Sequence, residues 1–171
     1  MPYALRLSKI VLVASLVAFC FIVTYDNIVD YDSNYAFVQH VLSMDTTFPA
    51  NTLRSSRAIT SPALWRAAYG LIIGMEGLSA LALALGAIDL ARHFRAPTER
   101  FHAAKRFVVI GATLAFLLWF TGFMVVGGEY FAMWQSATWN GQQAAFRFYV
   151  TVLGVLIFVV MPEGEISADK S

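Results

Sequence analysis

The chain has 171 residues, of which 58% are hydrophobic and 13% charged, with a formal net charge of +1. Soluble domains carry about 25% charged residues, and a near-neutral chain offers no basic field to nucleic acid, so a disordered chain, a nucleic-acid binder and an ordinary soluble enzyme are all excluded. A single cysteine, Cys20, excludes an internal disulfide framework, a zinc cluster and a dithiol redox motif.

These bounds point to an all-α integral membrane protein. Four apolar stretches run from Ile10 to Tyr25, Ala67 to Leu90, Phe107 to Val126 and Ala144 to Met161. A helix needs about 20 such residues to cross the hydrocarbon layer, and no alternation of the barrel type offers strands instead. The chain reads as one four-helix domain, with spans at about 8–26, 62–92, 104–128 and 143–161. The first span follows Arg6 and Lys9 but has no small-x-small cleavage site around Phe19-Cys20-Phe21, so it is expected to be a retained signal-anchor helix. Arg147 in the fourth span is placed to snorkel from a helix end.

Between the first two spans lies a long loop, 27–61. Loops of this length are functional or have structure of their own. Tyr35, Val38, Val41 and Leu42 fall at helical spacing, with Asp32 or Ser33 as N-cap, which predicts a short interfacial helix. Thr46-Thr47-Phe48-Pro49 breaks it. Ser61-Pro62 starts the second span, with Trp65 and Tyr69 as interface anchors; Trp134 and Trp139 anchor the second outer loop. Gly70 and Gly74 form a GxxxG pair, expected to pack against another helix of the bundle. Arg92, Arg95, Arg100, Lys105 and Arg106 sit between the second and third spans, on the side of Arg6 and Lys9. Both termini are therefore predicted to be cytoplasmic, including the tail from Pro162 to Ser171.

Glu76 is the sharpest single feature. Counted from Trp65 at 1.5 Å per residue it lies about 15 Å deep, near the bilayer midplane. An ionisable group there faces the bundle interior. It is either a proton- or cation-binding carboxylate or a protonated clasp to a neighbouring helix. Ser15, Thr121 and Thr151 offer hydrogen bonds at similar depth. Asp26, Asn27, Asp30, Asp32, Asn34, His40 and Asp45 make the outer loop a candidate interaction surface. Asp30-Tyr31-Asp32-Ser33-Asn34 opens like a calcium loop, but Tyr35 replaces the turn glycine and Val41 the closing glutamate. Capping and turns are then the main work of these residues, beside a looser calcium site. No histidine among His40, His93 and His102 falls within a span, so membrane haem is unsupported. No nucleophile, metal or phosphate motif occurs; no catalytic residue, metal or cofactor is expected.

The run Tyr25-Asp26-Asn27-Ile28-Val29-Asp30-Tyr31-Asp32-Ser33-Asn34, continuing into Phe37-Val38-Gln39-His40-Val41-Leu42-Ser43-Met44-Asp45-Thr46-Thr47-Phe48-Pro49, resembles a bacterial family of predicted small integral membrane proteins of unknown function. The resemblance extends over essentially the whole chain. It implies a multi-pass protein of the bacterial inner membrane, with its shared task between Asp26 and Pro49, and brings no catalytic residue with it.

Three functions compete. The leading one is an accessory or stabilising subunit of a larger membrane complex, with other integral membrane proteins or further copies of itself as partners beside the lipid bilayer, and no nucleic acid. The alternative is a small proton- or cation-coupled carrier or channel using Glu76, although no inverted repeat is present. An outer-surface enzyme built from Asp26, Asp30, Asp32, His40 and Asp45 has no reaction to fix it.

Overall fold

The computed structural model describes residues 1–164, so the expected placement of the tail beyond Gly164 lies outside the described residues. Those residues are helical, with no strand among them. Helix α1 spans Pro2–Val29 and α2 spans Tyr31–Ser43, parted only at Asp30 (φ −112°, ψ 53°). A short α3, Arg54–Arg57, precedes α4, Pro62–Arg92. Then come α5, Thr98–Ala103, and α6, Arg106–Phe116, which runs on as a π-helical segment of wider turns, Leu117–Tyr130. Helix α7, Gln142–Val160, completes the chain.

Four helical units are long and apolar enough to cross a membrane: Pro2–Val29, Pro62–Arg92, Thr98–Tyr130 and Gln142–Val160. They form an antiparallel bundle in which α4 packs on α1 and on α6, and α7 packs on α6, the π segment and α1. One end holds Met1, the α4–α5 turn and Gly164 (the termini end). The other holds α2, α3 and residues 131–141 (the loop end).

The buried face of α1 carries Arg6, Lys9, Val13, Leu16, Cys20 and Asn27. Their three- and four-residue steps put them on one stripe of a 3.6-residue helix. Opposite it, exposed Leu7, Val11, Phe21 and Ile28 form the face a bilayer would cover. The α4–α6 contact is the tightest. A Cβ at Gly86 would lie 2.8 Å from the Val108 amide nitrogen, and one at Gly111 2.8 Å from that of Leu83. Small residues are what allow helix backbones to approach so closely. Gly70 and Gly74 have nothing within 4 Å of such a Cβ. The expected internal GxxxG contact is therefore absent, because that face of α4 turns outward.

The predicted loop helix forms as α2, with Asp30 rather than Asp32 or Ser33 at its N-cap position and no side-chain capping bond. The rest of the loop folds down on residues 131–136. Gln135 Oε1 accepts from the Phe48 amide (3.1 Å) and from Asn51 Nδ2 (3.0 Å). Thr46 donates to Ser136 (2.8 Å), and Arg57 donates to the Tyr130 carbonyl (3.0 Å). The loop thus becomes a structured cap, as its length suggests.

Candidate functional site

Helix α1 continues past Tyr25, so Asn27 belongs to its inward stripe rather than to a loop. Its Nδ2 donates to Glu76 Oε2 at 2.8 Å. The Tyr69 hydroxyl, on the same face of α4 two turns earlier, donates to the Asn27 carbonyl (3.0 Å) and lies 3.2 Å from its Oδ1. Tyr31 packs edge-on against the Tyr69 ring, with centroids 4.7 Å apart. Glu76 is 2% exposed and Tyr69 1%. A buried polar group without partners costs about 1–3 kcal/mol, which this chain of hydrogen bonds avoids for Glu76 Oε2 and the Asn27 amide. Glu76 Oε1, in contrast, has no hydrogen bond to any described residue.

The pairing with Asn27, two residues from the end of α1, fixes the depth of Glu76. It lies within one turn of the loop end of α1, not at the middle of the bundle as reckoned from Trp65. The reason is that the first turns of α4 run beside α2, above the end of α1. Trp65 itself is tied into the cap, donating to the Ile59 carbonyl at 2.7 Å.

Glu76 lines a cavity of about 360 Å3. Asp26 and Asn34 are exposed at its rim, and its walls include Phe37, Trp119, Phe123 and Phe148. Phe37 stacks on Phe123 at 5.9 Å, and beyond this pair lies an apolar cavity of about 160 Å3 reaching Leu71 and Val126. The two cavities share Phe37, Val38, Ile72 and Phe123 as a common wall. A carboxylate oxygen, a ring-lined space and an adjoining apolar recess suit a cation with an apolar body.

The other expected intramembrane residues do not join Glu76. Ser15 and Thr151 are exposed on the bundle's outer face, where they line one apolar groove together. Each hydroxyl bonds the carbonyl four residues earlier, Val11 (2.9 Å) and Arg147 (2.7 Å). Thr121 is exposed on the π segment. In the loop, Asp26, Asn27 and Asn34 converge on the cavity while the remaining candidates do not. Asp30 accepts from Ser33 (2.9 Å), and Asp32 is exposed in the first turn of α2. His40 Nδ1 pairs with Asp45 at 2.8 Å, and its ring stacks on Trp139 with centroids 4.6 Å apart. Among the described residues no group of three or more His, Cys, Asp and Glu is placed to hold a metal ion.

A second polar cluster sits at the termini end, and the sequence reading treated its members only as topology markers. Lys9, 1% exposed, donates to the Val159 carbonyl (3.1 Å), to the Met161 carbonyl and to Glu163 Oε1. Lys105 Nζ lies 2.5 Å from the same Glu163 oxygen and 3.1 Å from the Met161 carbonyl. Arg6, 0% exposed, donates to the Phe94 (2.9 Å) and Ala96 (2.6 Å) carbonyls and packs over the Phe101 ring. It thereby satisfies carbonyls of the turn between α4 and α5. Burial pushes the Glu163 carboxyl up, and the hydrogen bonds and charges of Lys105 and Lys9 more than reverse this, holding it below its ordinary range. The signal for this cluster was present in the sequence: Arg6 and Lys9 fall in phase with the buried stripe Val13, Leu16 and Cys20.

The model of one family, predicted small integral membrane protein (DUF2165), matches residues 5–162. The chain belongs to this family. It is accordingly a multi-pass integral membrane protein, as the four apolar helices require. The matched range takes in the whole Tyr69–Asn27–Glu76 network, the cap, Lys9 and Lys105, and stops one residue short of Glu163. Neither the curated proteins nor the solved structures yield a match.

Proposed function

We propose that this family member is a small membrane binding protein or carrier for an organic cation, an amine with an apolar body, captured at the loop end by Glu76. The observation that carries the reading is the Glu76 carboxylate, with one oxygen fixed by Asn27 and the other free beside an aromatic-walled cavity. An ammonium group there would meet one carboxylate oxygen and the faces of several rings, and the recess behind Phe37 and Phe123 would take an apolar substituent. Asp26 at the rim would favour cations over anions. Below Glu76 the core is closed by Cys20, Leu83, Ala112 and Ala115, all buried. That favours a site entered from one end over an open channel. We further place the protein in the bacterial inner membrane with both termini cytoplasmic, a reading supported by the basic residues from Arg92 to Arg106.

Titrating benzylamine and tetramethylammonium into the purified protein by calorimetry tests the site. Binding should weaken by about tenfold or more in Glu76→Gln, the loss of one charge-assisted contact of roughly 1.4 kcal/mol or more. Equal affinity in the variant refutes it. A variant that loses thermal stability when the wild type binds neither probe makes Glu76 a structural clasp.

The accessory-subunit reading keeps one specific support. Phe48 and Trp134 meet edge to face at 5.7 Å on the cap and remain 53% and 49% exposed. Exposed aromatic pairs of this kind are common anchors of protein interfaces. Stoichiometric co-purification of a membrane partner, lost on W134A, would favour that reading.

A further inference from the structure

We infer that Lys9, Lys105 and Arg6 form an anion site for a phosphate group, in which Glu163 of the tail sits as an internal stand-in. Buried Lys9 and Lys105 face the buried Glu163 carboxylate, and buried Arg6 packs on the Phe101 ring beside them, so among the described residues the cluster carries two positive charges beyond its internal neutralisation. Uncompensated charge away from water is strongly unfavourable, and the imbalance calls for a further anion. The groups are close: Arg6 lies 4.5 Å and Lys105 5.9 Å from the centroid of the same Phe101 ring, and Arg6 reaches Thr98, whose hydroxyl donates to the Gly164 carbonyl.

Glu163 fits this place poorly. Both lysines converge on Oε1, while among the described residues Oε2 is buried with no hydrogen-bond partner, as is Nε of Arg6. As placed, the carboxylate offers one oxygen to both lysines and none to Arg6. A tetrahedral phosphate presents oxygens in several directions and carries the charge the cluster lacks. The occupant is carried on the few described residues that follow α7 rather than on a helix of the bundle. Around the cluster Arg92, Arg95, Arg100 and Arg106 are exposed, which raises the local concentration of anionic headgroups at a membrane surface. The phosphate is that of an anionic phospholipid or free inorganic phosphate, entering as the tail leaves.

The test uses the full chain in phosphatidylcholine nanodiscs with and without phosphatidylglycerol, reading retained lipid by native mass spectrometry after transfer to neutral detergent. Phosphatidylglycerol should be retained over phosphatidylcholine, by about tenfold more in E163Q and about tenfold less in K105Q, with K105R restoring it. Inorganic phosphate titrated into phosphatidylcholine nanodiscs separates the sources. Stabilisation by phosphate without preference for phosphatidylglycerol assigns the site to the free ion. If E163Q does not fold, E163D, with the carboxylate on a shorter stem, replaces it and should likewise raise retention. No preference for phosphatidylglycerol together with no phosphate effect overturns the inference, as does a phosphatidylglycerol preference or a phosphate stabilisation that is equal in K105Q and wild type.

Discussion

Replacing Glu163 with glutamine in neutral detergent isolates the energetics of the termini end. The side chain keeps its size, but Lys9 and Lys105 lose the one anion that both touch, while remaining 1% and 3% exposed. Removing one partner of a buried ion pair costs about 3–5 kcal/mol, since the other charge stays desolvated. At about 2–4 °C per kcal/mol for a chain of this size, Tm should fall by about 6–20 °C. The pH dependence has a definite sign. The folded pKa of Glu163 lies below its unfolded value, so its contribution is complete above the unfolded carboxylate pKa of about 4.3. It is lost as pH falls from there through the folded pKa. Wild type should therefore lose stability in that acid range, and E163Q should lack that component. Thermal unfolding followed by circular dichroism across pH 3–7 (about one pH unit per step) reads both effects. A Tm within about 2 °C of wild type, or identical acid profiles, would show that the two lysines are not held by this carboxylate.

Three further outcomes follow from the packing. Gly111→Val should destabilise the bundle by about 1–3 kcal/mol or more, because its side chain meets the Leu83 backbone, whereas Gly74→Val, with open space around it, should leave Tm nearly unchanged. Asn27→Leu should cost about 1–3 kcal/mol by stranding Glu76 Oε2, while the Tyr69 hydroxyl keeps the residue-27 carbonyl, measured by thermal unfolding beside the amine titration. Asp45→Asn should change global stability by about 1 kcal/mol or less, since the pair with His40 is part-exposed. It should nonetheless speed proteolytic cutting between residues 46 and 61, and an unchanged cutting rate would deny the pair a role in holding the cap.

The four helices were legible in the sequence because two are apolar runs of about 20 residues or more and the other two come close to that length. Glu76 was legible too, as the carboxylate in the middle of an otherwise apolar span, where Asp89 lies near its end. Its partner was not. Asn27 sits among Asp26, Asp30 and Asp32, and a composition that reads as loop hides the last turn of α1. The depth of Glu76 went astray for a related reason: Trp65 marks the folded cap rather than the point where α4 meets the end of α1. The π-helical turns over Leu117–Tyr130 left no signature, since apolar periodicity does not distinguish α from π turns within a uniformly apolar segment. Lys9 and Lys105 read as charges that set orientation; only the fold brings Glu163 to them.

The contact between Lys9 and Glu163 joins residues 154 positions apart, and this separation orders events during synthesis. Lys9 emerges early, as a free cation able to hold its end of the first helix at the membrane surface while the chain inserts. Its counter-charge follows the four spanning helices. Until Glu163 is made, the nascent bundle holds Lys9 and Lys105 without the acid that both touch, so closure of the termini end waits for the segment beyond α7. The same lysine thus stands near the start of the first helix and ties it to the end of the last.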